Sequence, residues 1–108
     1  RQIEDSKFLF QRNIVFNPKD AKSYLYLAKI FNVEENEIEE EKNLNTTLLL
    51  QPDNEDAMYM LINMQLKKSD YSEVEGLLNN FSKICNSLCN KIVSIKKRLN
   101  DIEAKEET

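Results

Sequence analysis

The sequence predicts an all-α domain of about six helices, and three observations carry that expectation. Gly occurs once and Pro twice in 108 residues, too few turn residues for an all-β chain. Apolar residues recur at three- and four-residue steps almost from end to end, the period of a helix face. The breaks between these stripes are short, and the length supports one core but not two. A hydrophobic share of 41% beside 31% charged residues belongs to a folded chain rather than a disordered one.

In the first helix Ile3, Phe10 and Ile14, flanked by Leu9 and Phe16, make one apolar face, which Asn17-Pro18 ends because a residue before proline avoids helical geometry. Asp20 is placed to cap a second helix with the stripe Tyr24, Leu27, Ala28 and Phe31. Glu34 to Asn36 reads as a bend. A third helix then runs to about Leu50, with Ile38, Leu44, Leu48 and Leu49 expected inward. Glu37, Glu39, Glu40 and Glu41 suit its start, where the helix dipole favours negative charge.

Pro52 stops that helix, and Asp53 and Asn54 are placed to cap a fourth with the stripe Met58, Leu61, Ile62 and Gln65. Lys67 to Asp70 is a turn, after which Tyr71, Val74, Leu77, Leu78 and Phe81 define a fifth helix. The last segment, from about Ser87, carries Leu88, Ile92, Ile95, Leu99 and Ile102 and is expected to fray into the polar tail EAKEET. Cys85 and Cys89 would lie one turn apart on a helix face, where two small apolar residues are the simplest reading and a redox pair the alternative.

Several function classes are disfavoured by composition. A net charge of -4 is no basic footprint for nucleic acid. The longest apolar run, Ala57 to Ile62, is far short of the roughly 20 residues a membrane-spanning helix needs. The absence of His removes the usual general base and half of a tetrahedral zinc site, and no glycine-rich loop is present to cradle phosphate. Glu37 and Glu41 share a helical face, but hard cations want several converging oxygens. No catalytic residue, cofactor or metal site is therefore expected. Charge is uneven: from Val33 to Asp56 nine acids stand against Lys42 alone, and from Lys83 to Arg98 every charged residue is basic.

Pro18 and Pro52 are 34 residues apart, and the same shift lays Tyr24, Leu27, Ala28 and Phe31 onto Met58, Leu61, Ile62 and Gln65, Phe10 onto Leu44, and Leu44 onto Leu78. Tyr24-x2-Leu27-Ala28-x2-Phe31, followed by Leu44 and Pro52, resembles the tetratricopeptide repeat (TPR). The resemblance implies antiparallel helix pairs stacked as a right-handed superhelix in a single TPR-like domain. Residues 1–20 would be the second helix of a preceding repeat, 21–54 a full repeat, 55–88 a degenerate one, and 89–108 a capping helix and tail. The chain opens at Arg1 inside a helical pattern and is expected to be part of something longer. Glu40 departs from the pattern by standing where the family has a small residue, so a local shift of the third helix is expected.

The resemblance also implies a function. First helices of such repeats line a groove that receives a peptide or helix of another protein, and here they would present Lys22, Leu25, Tyr26, Lys29, Asp56, Tyr59, Met60 and Asn63. The final helix would add Asn90, Val93 and Lys97. Tyr is a favoured anchor at such surfaces, and three lysines against one aspartate favour a mildly acidic or amphipathic segment. The competing use of Leu25, Tyr26 and Tyr59 is packing against the next helix. The carboxylate clamp of the chaperone-binding subfamily is not expected, because Leu25, Lys29, Met60, Asn90 and Ser94 occupy its slots. A second hypothesis has the final stripe act as a coiled-coil seam joining two chains, or in a hetero-complex, with Lys91, Lys96 and Arg98 meeting the acidic segment of a neighbour.

Overall fold

A computed structural model describes residues 2–107; Arg1 and Thr108, the outer ends of the first half-repeat and of the polar tail, lie outside the described residues. All regular structure among them is helical: α1 (Gln2–Phe16), α2 (Ala21–Val33), α3 (Glu37–Leu50), α4 (Glu55–Lys67), α5 (Tyr71–Ile84) and α6 (Lys91–Glu107). Each helix packs against the next in the chain. The array is elongated, 49 × 28 × 19 Å with a radius of gyration of 15.0 Å, against about 13 Å for a compact domain of this length.

The spacing of the elements repeats. Ala21 and Glu55 open α2 and α4, and Glu37 and Tyr71 open α3 and α5, 34 residues apart in each case. The turns repeat as well. Glu35 (φ 59°) and Ser69 (φ 56°) both take the left-handed conformation that terminates a helix. The N–H groups of Asn36 and Asp70 then donate back to the carbonyls of Phe31 and Gln65 at 2.9 and 3.0 Å. Asn36, Asn54 and Asp70 cap their helices by accepting from the N–H groups of Glu39, Ala57 and Glu73. Asp20 holds the cap position of α2, but its carboxylate accepts from the Ser23 hydroxyl at 2.7 Å instead of from a backbone N–H.

Two apolar clusters hold the array, and α4 contributes to both. Leu25, Ala28, Leu44, Ala57, Leu61 and Met64 join α2, α3 and α4. Met58, Ile62, Leu66, Val74, Leu78, Phe81, Ile95 and Leu99 join α4, α5 and α6. The α6 stripe expected as a possible seam between chains is thus occupied within its own fold: Ile95 and Leu99 are buried, and Ile92 and Ile102 pack beside them.

Four expectations need correction. In α3 the inward stripe is Glu40, Leu44 and Thr47, with Leu48 half-buried, whereas Ile38 and Leu49 are 80% and 82% exposed. Ile38 and Leu49 are eleven residues apart and share the face opposite that stripe. The expected apolar face of α1 has no buried member; Phe10 and Ile14 are half-buried, and Ile3, Leu9 and Phe16 are exposed. The polar tail continues as helix to Glu107 rather than fraying.

The fourth correction concerns the cysteines. α5 stops at Ile84, and Cys85 and Cys89 form a disulfide, Cα atoms 5.2 Å apart, in the connector 85–90. α6 accordingly begins at Lys91, later than expected. This loop wraps a carboxylate of the preceding layer. Glu55, the first residue of α4, accepts from the N–H groups of Asn86, Ser87 and Leu88 at 2.5, 3.0 and 3.2 Å. These bonds, led by that from Asn86, hold its pKa below the ordinary value.

Candidate groove

The face of α2 turned away from the core is a stripe at steps of four, three and four: Lys22, Tyr26, Lys29 and Val33, all exposed. Three of these were expected from the sequence. Val33, 64% exposed, was missed although it continues the same period. Lys29 Nζ lies 5.4 Å from the centre of the Tyr26 ring, whose other neighbour is Phe10 of α1, stacked with centroids 5.0 Å apart. Tyr26 therefore both joins α1 to α2 and leaves part of its ring in solvent.

Leu25 does not belong to this surface. It is 7% exposed and packs with Ala28, Leu44, Ala57, Leu61 and Met64, because its position points toward α4 rather than out of the groove. On α4, Asp56 is exposed, while Tyr59, Met60 and Asn63 are half-buried. Tyr59 serves two environments: its ring stacks near Phe81 with centroids 6.1 Å apart, and Lys91 Nζ lies 5.9 Å from the ring centre. Asn63 accepts from Arg98 Nη1 at 2.9 Å.

Lys91 and Arg98 are thus the charged α6 residues that meet α4, one heptad apart on a single face. Val93 and Lys97 are exposed on α6, and no described contact ties them to the α4 residues; Asn90 is exposed in the connector before it. The helical stripe Ile92, Ile95, Leu99 and Ile102 sets this orientation, and reading the flank of that stripe would have selected Lys91 and Arg98.

A cavity of about 190 Å³ opens where α2, α3 and α4 meet. Tyr59, Met60 and Asn63 line it with Met64 and Lys67 of the same helix, and Asn32, Glu37 and Glu40 close its other side. Glu40 is 5% exposed and accepts from Asn32 Nδ2 at 3.0 Å. Burial pushes its pKa above the ordinary value, against the Asn32 hydrogen bond and nearby Lys67.

The acidic segment is partly engaged in joining helices. Lys7 meets Glu34 at 3.0 Å, a contact that raises the Lys7 pKa, and Lys68 meets Glu41 at 3.4 Å. Shifting the first pair by 34 residues gives the second with its charges exchanged. Among the described residues no group of three or more Asp, Glu, Cys or His side chains is arranged to hold a metal ion. No described helix is long and apolar enough to cross a membrane. Comparison with known proteins gives neither a matching family model nor a matching curated relative.

Proposed function

We propose that the chain is a protein-binding module of the tetratricopeptide kind, not an enzyme, and that it receives a peptide or helix of another protein in the groove between α2, α4 and α6. The observation that carries this reading is the exposed Lys22–Tyr26–Lys29–Val33 stripe of α2, the helix whose Asn32 shares an open cavity with Tyr59, Met60 and Asn63 of α4. Aromatic rings flanked by cations are a common chemistry at binding surfaces. The 34-residue recurrence of helix starts, left-handed turns and cross-helix ion pairs supports the repeat assignment. Lys22, Lys29, Lys91 and Arg98 outnumber Asp56 among the charged residues placed on this surface, which favours an acidic or amphipathic segment.

Chemical cross-linking and affinity capture with the intact chain test the proposal. The double variant Lys22→Glu/Lys29→Glu is expected to lose the captured protein while keeping its melting temperature, because both side chains are exposed. Lys42→Glu, on the far face of α3, is expected to keep it. Equal capture by all three proteins rejects the groove as the binding surface.

A further inference from the structure

The cavity among α2, α3 and α4 has a chemistry opposite to that of its basic border. Glu40 lies in it with one oxygen accepting from Asn32. Among the described residues, none donates to the other oxygen. No buried side-chain oxygen or nitrogen among the described residues lacks a partner, so this second oxygen opens onto the cavity. Glu37, one turn earlier on α3, adds a second carboxylate. Lys67 is the only cation in the lining, and it forms no ion pair with either carboxylate. Tyr59, Met60 and Met64 supply apolar wall.

An occupant must suit both features. An anion would meet two carboxylates of its own sign, and a wholly apolar group would strip water from Glu40 and leave its free oxygen unpaired. A flexible aliphatic stem ending in a compact cation satisfies the wall and the carboxylates together. The methionines adapt readily to such a stem. Glu40 offers one free oxygen rather than two, so the planar fork of a guanidinium finds no bidentate match, whereas an ammonium needs none.

We infer that this cavity seats one lysine side chain of the polypeptide bound in the groove, its ammonium donating to Glu40 and Glu37 and its methylenes lying against Met60 and Met64. The inference rests on the proposed groove function and adds a specificity to it: the bound segment carries a lysine among acidic or apolar neighbours. Burial already disfavours the charged form of Glu40, and an entering ammonium would reverse that preference.

The test uses the intact chain and blocked tripeptides, acetyl-Gly-Lys-Gly-amide and its norleucine counterpart, followed by nuclear magnetic resonance at the side-chain amides of Asn32 and Asn63. The lysine peptide is expected to shift both signals and to bind about tenfold tighter than norleucine, the size of one charge-assisted hydrogen bond. Glu40→Gln is expected to remove that advantage. Glu37→Gln, an exposed substitution that spares the core, is expected to reduce it.

Equal binding of the two peptides, no shift at about 20 mM, or a lysine preference unchanged in both variants overturns the inference. Tighter binding of the arginine tripeptide overturns the choice of lysine. Butylamine binding as tightly as the lysine peptide overturns the assignment to a polypeptide, in favour of a free amine. The capture experiment changes Lys22, Lys29 and Lys42 and leaves every cavity residue in place, so a failed groove and a failed lysine seat give different results.

Discussion

At the scale of single residues, Glu40 has the most informative environment. It is buried where α2 meets α3, accepts from Asn32 and has a cavity open beside it. Its stability contribution has a definite sign. The folded-state pKa is above the ordinary value of 4.5, so the native state holds more protons than the unfolded chain and stability from this group falls as pH rises through that window. Glu37 adds to the shift, and Lys67 and Asn32 oppose it. Glu40→Gln is therefore expected to melt above the wild type at neutral pH, with the gap closing as pH falls toward 4.5; a gap that widens in acid would contradict this. Leu25 shows the limit of reading a groove from sequence. Its apolar character fits an anchor and a core residue equally, and only the neighbours Ala57, Leu61 and Met64 decide the matter.

At the scale of elements, α2, α4 and α5 were legible because their apolar periodicity and their burial coincide. Leu27, Ala28 and Phe31, then Met58, Leu61, Ile62 and Gln65, then Val74, Leu78 and Phe81 are all buried as expected. α3 misled because hydrophobicity and position disagree: Glu40 and Thr47 point inward, Glu40 held through one oxygen by Asn32 and Thr47 through its hydroxyl to the Asn43 carbonyl, while Ile38 and Leu49 point out. The connector 85–90 was illegible for a different reason. Spacing places Cys85 and Cys89 on one helical face, and nothing local signals that the helix ends at Ile84. The Glu55 clamp depends on contact between distant residues and has no sequence signature. Reducing the disulfide is expected to cost roughly 2 kcal/mol by the loop-entropy relation and to speed amide exchange at Asn86, Ser87 and Leu88. Unchanged exchange there would show that Glu55 holds the loop unaided.

At the scale of the whole molecule, stability is distributed along a line. The main packing partner of each helix is the one next to it in the chain, so protection is expected to follow local burial. α4 contributes to both clusters, whereas α1 has no buried residue and is tied down by the Phe10–Tyr26 stack and the Lys7–Glu34 pair. Native-state hydrogen exchange is expected to be fastest in α1 and slowest in α4. Uniform protection across all six helices would instead indicate a single cooperative unit. The 34-residue period was visible in the sequence as Pro18 and Pro52. Its recurrence in the left-handed turns at Glu35 and Ser69 was not, since neither residue is the glycine that usually marks that geometry.

The disulfide connector also sets where the protein tolerates a change of length. On the 34-residue period the helix after α5 would open at residue 89, but α6 opens at Lys91. Its inward stripe nevertheless keeps the period, for Met58, Leu61 and Gln65 shifted by 34 residues fall on Ile92, Ile95 and Leu99. A duplicated 34-residue block spliced in before Glu55 would keep every later stripe in phase, whereas a block added beyond Ile84 would part the connector from the Glu55 carboxylate that holds its N–H groups. For protein engineering, length is better added before Glu55, because the connector after Ile84 is a keystone cut to a single shape.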